Sequence, residues 1–236
     1  MYGYYYDLNY SYLFLMLPAI AIALFAQIKV KSTFLLYSET KSSRGLTGAQ
    51  AALQILSRND IHDVRIERVG GKLTDHFDPA AKIIRLSDDV YDSTSVSAIG
   101  VACHEAGHAV QHAVDYAPIR FREMLVPVTN FGSKLAFPFV FIGLLLPTKW
   151  DFIVLIGIVL YSLAVLFELV TLPVEIDASR RAIKALDQTE ILNKEELRCA
   201  KKVLSAAALT YLAATLTALL SLLRLVLIFT GRRGRN

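Results

Sequence analysis

The stretch VACHEAGHAVQH, Val101 to His112, sets His104 and His108 four residues apart with Glu105 beside the first. Residues at that spacing share one face of a helix, with roughly 6 Å between Cβ atoms, so two imidazoles can converge on one ion. This is the H-E-x-x-H pattern, in which zinc polarises a water molecule and the neighbouring glutamate takes its proton. The reading is one zinc ion with His104 and His108 as ligands and Glu105 as general base. The competing reading is a helix whose polar face the histidines merely fill. Ala106 and Gly107, between the ligands, leave room near the metal.

Two histidines do not complete such a site, because catalytic zinc commonly takes three protein ligands and a water. His112 continues the stripe, but successive turns of one straight helix cannot all surround one ion. QHAVDYAP follows where a metzincin would place a bend and a third histidine. The third ligand is therefore expected to be acidic and to come from another helix. VEIDASRRA, Val174 to Ala182, offers Glu175 and Asp177. Glu175 is preferred, since a following helix would bring Ser179 and Arg180 close; Glu168, seven residues earlier on the same face, is the alternative. Arg180, Tyr91 and His112 are candidates to stabilise an oxyanion. His62 and His76 carry no spacing argument and read as loop residues.

The elements that must position these groups can be read locally. Ser93 or Asp92 can cap a helix running through the histidines to near His112, and Pro118 limits its extension. Thr47 caps a helix to about Ser57, with Ala51, Ala52, Ile55 and Leu56 on its inner side. VRIERV, Val64 to Val69, alternates as a strand, and Gly70-Gly71 supplies a turn. A second short strand, KIIRL, precedes the active helix. It is either an exposed edge that could pair with an extended peptide or an internal strand. Val174 to Lys202 reads as helical and amphipathic.

Hydrophobic residues make up 54% of the 236 and charged residues only 19%, a balance that points to a membrane protein. The apolar residues gather into four runs of near-spanning length: Tyr12 to Ile28, Leu125 to Leu146, Phe152 to Phe167 and Val203 to Phe229. The first has no Lys or Arg on its N-terminal side and no cleavage pattern after it, so it reads as a retained anchor with interfacial tyrosines. Lys29, Lys31, Lys41 and Arg44 follow it and place that flank in the cytoplasm. The tail GRRGRN opposes this orientation unless the last run breaks near Arg224 and does not cross. Lys134, in the second run, is read as snorkelling to lipid phosphate. Cys103 and Cys199 make no disulfide framework, which suits a reducing compartment. The net charge of +4 is modest, sits next to the apolar runs and fits contact with lipid headgroups; no nucleic-acid motif is present.

The expected organisation is a membrane anchor over 1–30, a cytoplasmic segment with the histidine helix over 31–123, and a transmembrane hairpin over 124–172. A cytoplasmic helical segment with the third ligand over 173–202 and a last membrane segment with a basic tail over 203–236 complete it. The fold class is a mainly α membrane protein, with about four transmembrane helices and a small α+β unit.

Three stretches together resemble the YugP-like neutral zinc metallopeptidases, a family of bacterial membrane proteins. They are DHFDPAAKIIRLSDDVYDSTSVSAIGVACHEAGHAVQHA (Asp75 to Ala113), VPVTNFGSKLA (Val126 to Ala136) and PVEIDASRRA (Pro173 to Ala182). The resemblance covers most of the chain from about Thr47. It implies a zincin-like catalytic unit with His104, His108 and Glu175 as ligands and Glu105 as catalyst. The wider group of membrane gluzincins usually has an Asp four residues after its ligand Glu; here Ser179 stands there, with Asp177 two residues after the Glu. The expected function is a multi-pass zinc endopeptidase of the cell membrane, its site facing the cytoplasm and its substrate a membrane-associated or unfolded polypeptide. Two rivals are a scaffold or chaperone that keeps zinc without turnover, and a protease whose histidines lie inside the bilayer. The residues RLSDDVYDSTS ahead of the helix are too polar for the second.

Overall fold

The protein, described by a computed structural model over residues 2–233, with side chains over 16–232, is a mainly α membrane protein with one small sheet. The tyrosines read as interfacial and the end of the tail lie outside the described side chains. Four helices are long and apolar enough to cross a membrane: α1 (Tyr2–Ser38, of which Met16–Ser38 qualifies), α5 (Ala117–Leu145), α6 (Asp151–Thr189) and α7 (Lys194–Arg233). The chain divides into two compact units. One comprises the described residues of Met1–Phe25, Phe121–Leu172 and Tyr211–Asn236, and the other comprises Ala26–Arg120 and Pro173–Thr210.

The first unit keeps only a small buried cluster, Val140, Val154, Ile158 and Leu225. Its helices approach closely where side chains vanish: a Cβ on Gly157 would lie 2.7 Å from the Ala136 carbonyl oxygen and 2.6 Å from Val140 Cγ2. Small residues at a crossing let two apolar helices gain contact that lipid would otherwise supply. Many large apolar side chains are exposed, Phe131, Phe141 and Leu145 among them. The turn between α5 and α6 is a single 3₁₀ turn, Thr148–Trp150. Helix α7 passes Arg224 unbroken to Arg233, so the break that would have kept the tail from crossing does not form. One tail arginine is accommodated instead: Arg232 donates to the carbonyls of Gly143, Leu144 and Leu146 and pairs with Asp151 at 3.1 Å. Lys134 lies on the exposed face of α5.

The second unit is organised around α4 (Val96–Ala113), which is buried along nearly its whole length. Ser95, rather than Ser93 or Asp92, caps it by accepting from the Ala98 amide. A four-residue helix, α3 (Asp88–Tyr91), and Ser93–Ser95 occupy the stretch where the helix was expected to begin. Helix α2 (Gly48–Arg58) carries a full capping box between Thr47 and Gln50 and lays Ala51, Ala52, Ile55 and Leu56 into the core, as its periodicity requires.

The sheet has the order β1-β3-β2, with β1 (Arg65–Val69) parallel and β2 (His76–Asp78) antiparallel to β3 (Ile83–Ser87). KIIRL is thus the internal strand, buried on both faces. The edge beside it is β2, a segment that reads from sequence as loop and turn. The segment Val174 to Lys202 is two helices, split by a turn at 190–193. Asn193 caps α7 there by accepting from the amides of Glu195 and Glu196, and Glu196 returns a bond to the Asn193 amide. Apolar residues of α6 and α7, including Ala182, Leu186, Ala200 and Leu204, join Ile99, Ala102 and Ala106 of α4 in one core.

Candidate metal centre

The site is built where α4 crosses α6. A Cβ on Gly107 would sit 2.5 Å from the Ala178 carbonyl oxygen, so only glycine permits this approach. The crossing brings the next turns of both helices together, and the ligand atoms of His104, His108 and Glu175 lie within 4.8 Å of one another. Glu175 Oε2 is 3.2 Å from His104 Nε2 and 3.4 Å from His108 Nε2. Ligands about 2.0–2.1 Å from a tetrahedral zinc are separated from each other by about 3.4 Å, which is the spacing of the carboxylate oxygen from each of the two imidazole nitrogens here. Glu168, the alternative third ligand, belongs to the other unit and is not in this group.

The hydrogen bonds behind the ligands fix which nitrogen faces inward. Gln111 is fully buried, and its Nε2 donates to the Val174 carbonyl at 2.9 Å and to Asp177 Oδ2 at 2.8 Å. Its Oε1 therefore faces His108 Nδ1, at 3.0 Å, and an amide oxygen can only accept. His108 Nδ1 carries the proton. In a neutral ring Nε2 then turns a lone pair toward a carboxylate oxygen, an arrangement that calls for a cation between them. Asp177 is held in turn by Arg181 Nε at 2.6 Å, and the Arg181 guanidinium lies over Tyr116. His104 is supported by Ser179, whose Oγ is 3.1 Å from Nδ1. Ser179 thus stands behind one histidine, and Asp177 reaches the other through Gln111.

Glu105 is buried beside the ligands and accepts a bond from the Phe77 amide of β2. Burial pushes its carboxyl up to about 7; His104 and the Phe77 amide oppose the shift, and the charges of Glu175 and Asp75 add to it. Asp75, just ahead of β2, accepts from the amide and hydroxyl of Ser87 at the end of β3. That ties the edge strand down next to Glu105. Burial raises the Asp75 carboxyl as well.

The remaining candidates are placed as follows. His112 sets its ring edge-on to Phe77, with centroids 5.7 Å apart. Tyr91 lies under the Arg68 guanidinium, in contact with the sheet. Arg180 is exposed and lines two surface cavities on α6. His76, read as a loop residue, is in β2 and bonds the Thr74 carbonyl through Nδ1. Sequence reasoning missed Gln111 and Asp75. Gln111 did carry a signal: it stands three residues after His108 on a helix that, apart from its histidines and Glu105, is made of small and apolar residues. Asp75 pairs across a strand that could not be foreseen.

A "Putative membrane protease YugP" from Bacillus subtilis (strain 168) is 46% identical over 225 residues, which cover 95% of this chain and 99% of that protein. No solved structure matches. Residues 12–230 match the model of the family described as "Putative neutral zinc metallopeptidase", and with a relative this similar along nearly its whole length the chain belongs to that family.

Proposed function

We propose that the protein is an integral-membrane zinc endopeptidase with His104, His108 and Glu175 as ligands of one zinc ion and Glu105 as general base. The observation that carries this reading is the Glu175 carboxylate facing two imidazole Nε2 atoms at 3.2 and 3.4 Å, with a second buried carboxylate alongside. A bound zinc would supply Lewis acidity to a water molecule and to the peptide carbonyl. Glu105 takes a proton from that water as its oxygen bonds to the carbonyl carbon. The same proton passes to the amide nitrogen as the C–N bond breaks, releasing an amine and a carboxylic acid, which then gives up its own proton to the released amine. Gln111 and Ser179 keep the two rings in place throughout. The outer edge of β2, whose Phe77 amide bonds Glu105, rather than KIIRL, is where an extended polypeptide could add as a strand if that bond gives way.

A scaffold that merely holds zinc would be expected to close the ion with four protein ligands. Three converge here among the described residues, and a general base has no use in such a site. Basic residues after the first apolar run support a site on the cytoplasmic side. Glu105→Gln should keep zinc and lower hydrolysis of an unfolded or quenched-fluorescent polypeptide by about 10²–10⁴-fold. Cleavage at the wild-type rate by that variant would refute the mechanism. The side is read by Lys72→Cys in a Cys199→Ser background: an impermeant maleimide should label it in inverted vesicles and not in right-side-out ones.

A further inference from the structure

Beyond the metal centre, α6 and α7 enclose a groove of about 550 Å³ in the second unit. Its charges are confined to one part of its length. Ile176, Leu204 and Ala208, with two serines, line the end where both helices run on into the chain's apolar stretches, while Arg180, Lys184 and Lys201 line the part further from them, interleaved with Ile183 and Leu197. All three cations are exposed, and none is in an ion pair among the described residues. The single carboxylate of the groove, Asp187, leaves an excess of two positive charges.

Apolar at the end continuous with membrane-crossing sequence and cationic beyond it, the groove has the polarity of a phospholipid with its headgroup pointing away from the hydrocarbon. Basic pockets on helices that enter the bilayer favour anionic headgroups, since each Lys or Arg adds attraction that a zwitterionic lipid does not draw on. We infer that this groove is a specific site for one anionic phospholipid, its phosphate held by Arg180, Lys184 and Lys201 and its acyl chains lying along Ile176, Leu204 and Ala208. An acidic peptide would satisfy the cations equally but would place polar backbone against the apolar end. The site does not depend on peptidase activity.

The test uses the zinc-loaded full-length protein in a neutral detergent, with phosphatidylglycerol and phosphatidylcholine of identical acyl chains at equal concentration. Bound lipid is counted by native mass spectrometry. The wild type should retain one phosphatidylglycerol in preference to phosphatidylcholine. Arg180→Gln, Lys184→Gln and Lys201→Gln together should abolish the preference, and Lys201→Gln alone, an exposed change on the helix that bears no zinc ligand, should lower it about fivefold. A control with Arg65, Lys72 and Lys194 changed to Gln removes the same charge elsewhere and should keep the preference. The site is refuted if the wild type shows no preference, if the control loses as much as the groove variant, or if glycerol phosphate or an acidic peptide displaces the lipid at equal concentration.

Discussion

Both units bring two helices together at a glycine, Gly157 in one and Gly107 in the other, yet the two crossings enclose different kinds of residue. In the first unit the close approach encloses only a few aliphatic side chains, and phenylalanines and leucines point outward. In the second, aliphatic side chains are buried in a large core, and the crossing encloses His108, Gln111, Glu105 and Glu175. The difference follows from the surroundings. Against lipid, an outward Phe131 costs nothing, and packing of small residues holds the helices. Against water, apolar side chains go inside, and the polar groups at the crossing go inside with hydrogen-bond or ion-pair partners.

The largest loss is expected where the polar interior of the second unit loses its carboxylate. Glu175→Ala should lower zinc affinity by more than about 100-fold, a larger loss than changing any group that only supports a ligand. Zinc competition with a fluorescent chelator reads it, and affinity within a few-fold of wild type would place the metal elsewhere.

Gln111→Met, close in volume, removes the donor to Asp177 and Val174 and the acceptor for His108. Zinc affinity should drop about 10–100-fold, and the metal-free protein should lose about 1–3 kcal/mol by denaturant titration through the stranded buried partners. A merely space-filling Gln111 would leave both unchanged.

The two glycines sharpen the contrast further. Gly107→Ala and Gly157→Ala should each cost about 1–3 kcal/mol of stability, since each Cβ meets a backbone oxygen. Only Gly107→Ala should weaken zinc binding, because it pushes α6, and Glu175 with it, away from α4. Equal effects on zinc would show that the first unit also shapes the site. The smallest change is expected at Phe131→Ala, below about 0.5 kcal/mol in a lipid or detergent environment. A large loss there would mean that its exposed ring meets a protein partner.

The sequence made some of this visible for definite physical reasons. Lipid-facing helices need long apolar runs, so their existence showed in composition alone. The two proposed ligands and the proposed base on one helix obey a local spacing, so His104, Glu105 and His108 were legible as a group. Glu175 stands 71 residues beyond His104, so no local spacing reveals it; the need for an acidic third ligand from another helix pointed to its segment. Asn193 capping α7 inside a segment that reads as one helix was hidden, because a four-residue turn leaves the amphipathic pattern on both sides intact. β2 was hidden because three residues are too few for alternation to show. The chain Arg181–Asp177–Gln111–His108 was out of reach for a different reason. It depends on which turns of α4 and α6 meet, and that is set by the glycine contact at Ala178 rather than by either helix alone.

The central claim is that two imidazoles of α4 and one carboxylate of α6 hold a single zinc ion. X-ray absorption at the zinc edge of the purified Glu105→Gln protein tests it most directly. One zinc per chain is expected, with two imidazole nitrogens at about 2.0–2.1 Å, carboxylate and water oxygens at about 2.0–2.2 Å, and no sulfur. A spectrum with a sulfur shell from Cys103 or Cys199, or a protein that takes up no zinc, would contradict it.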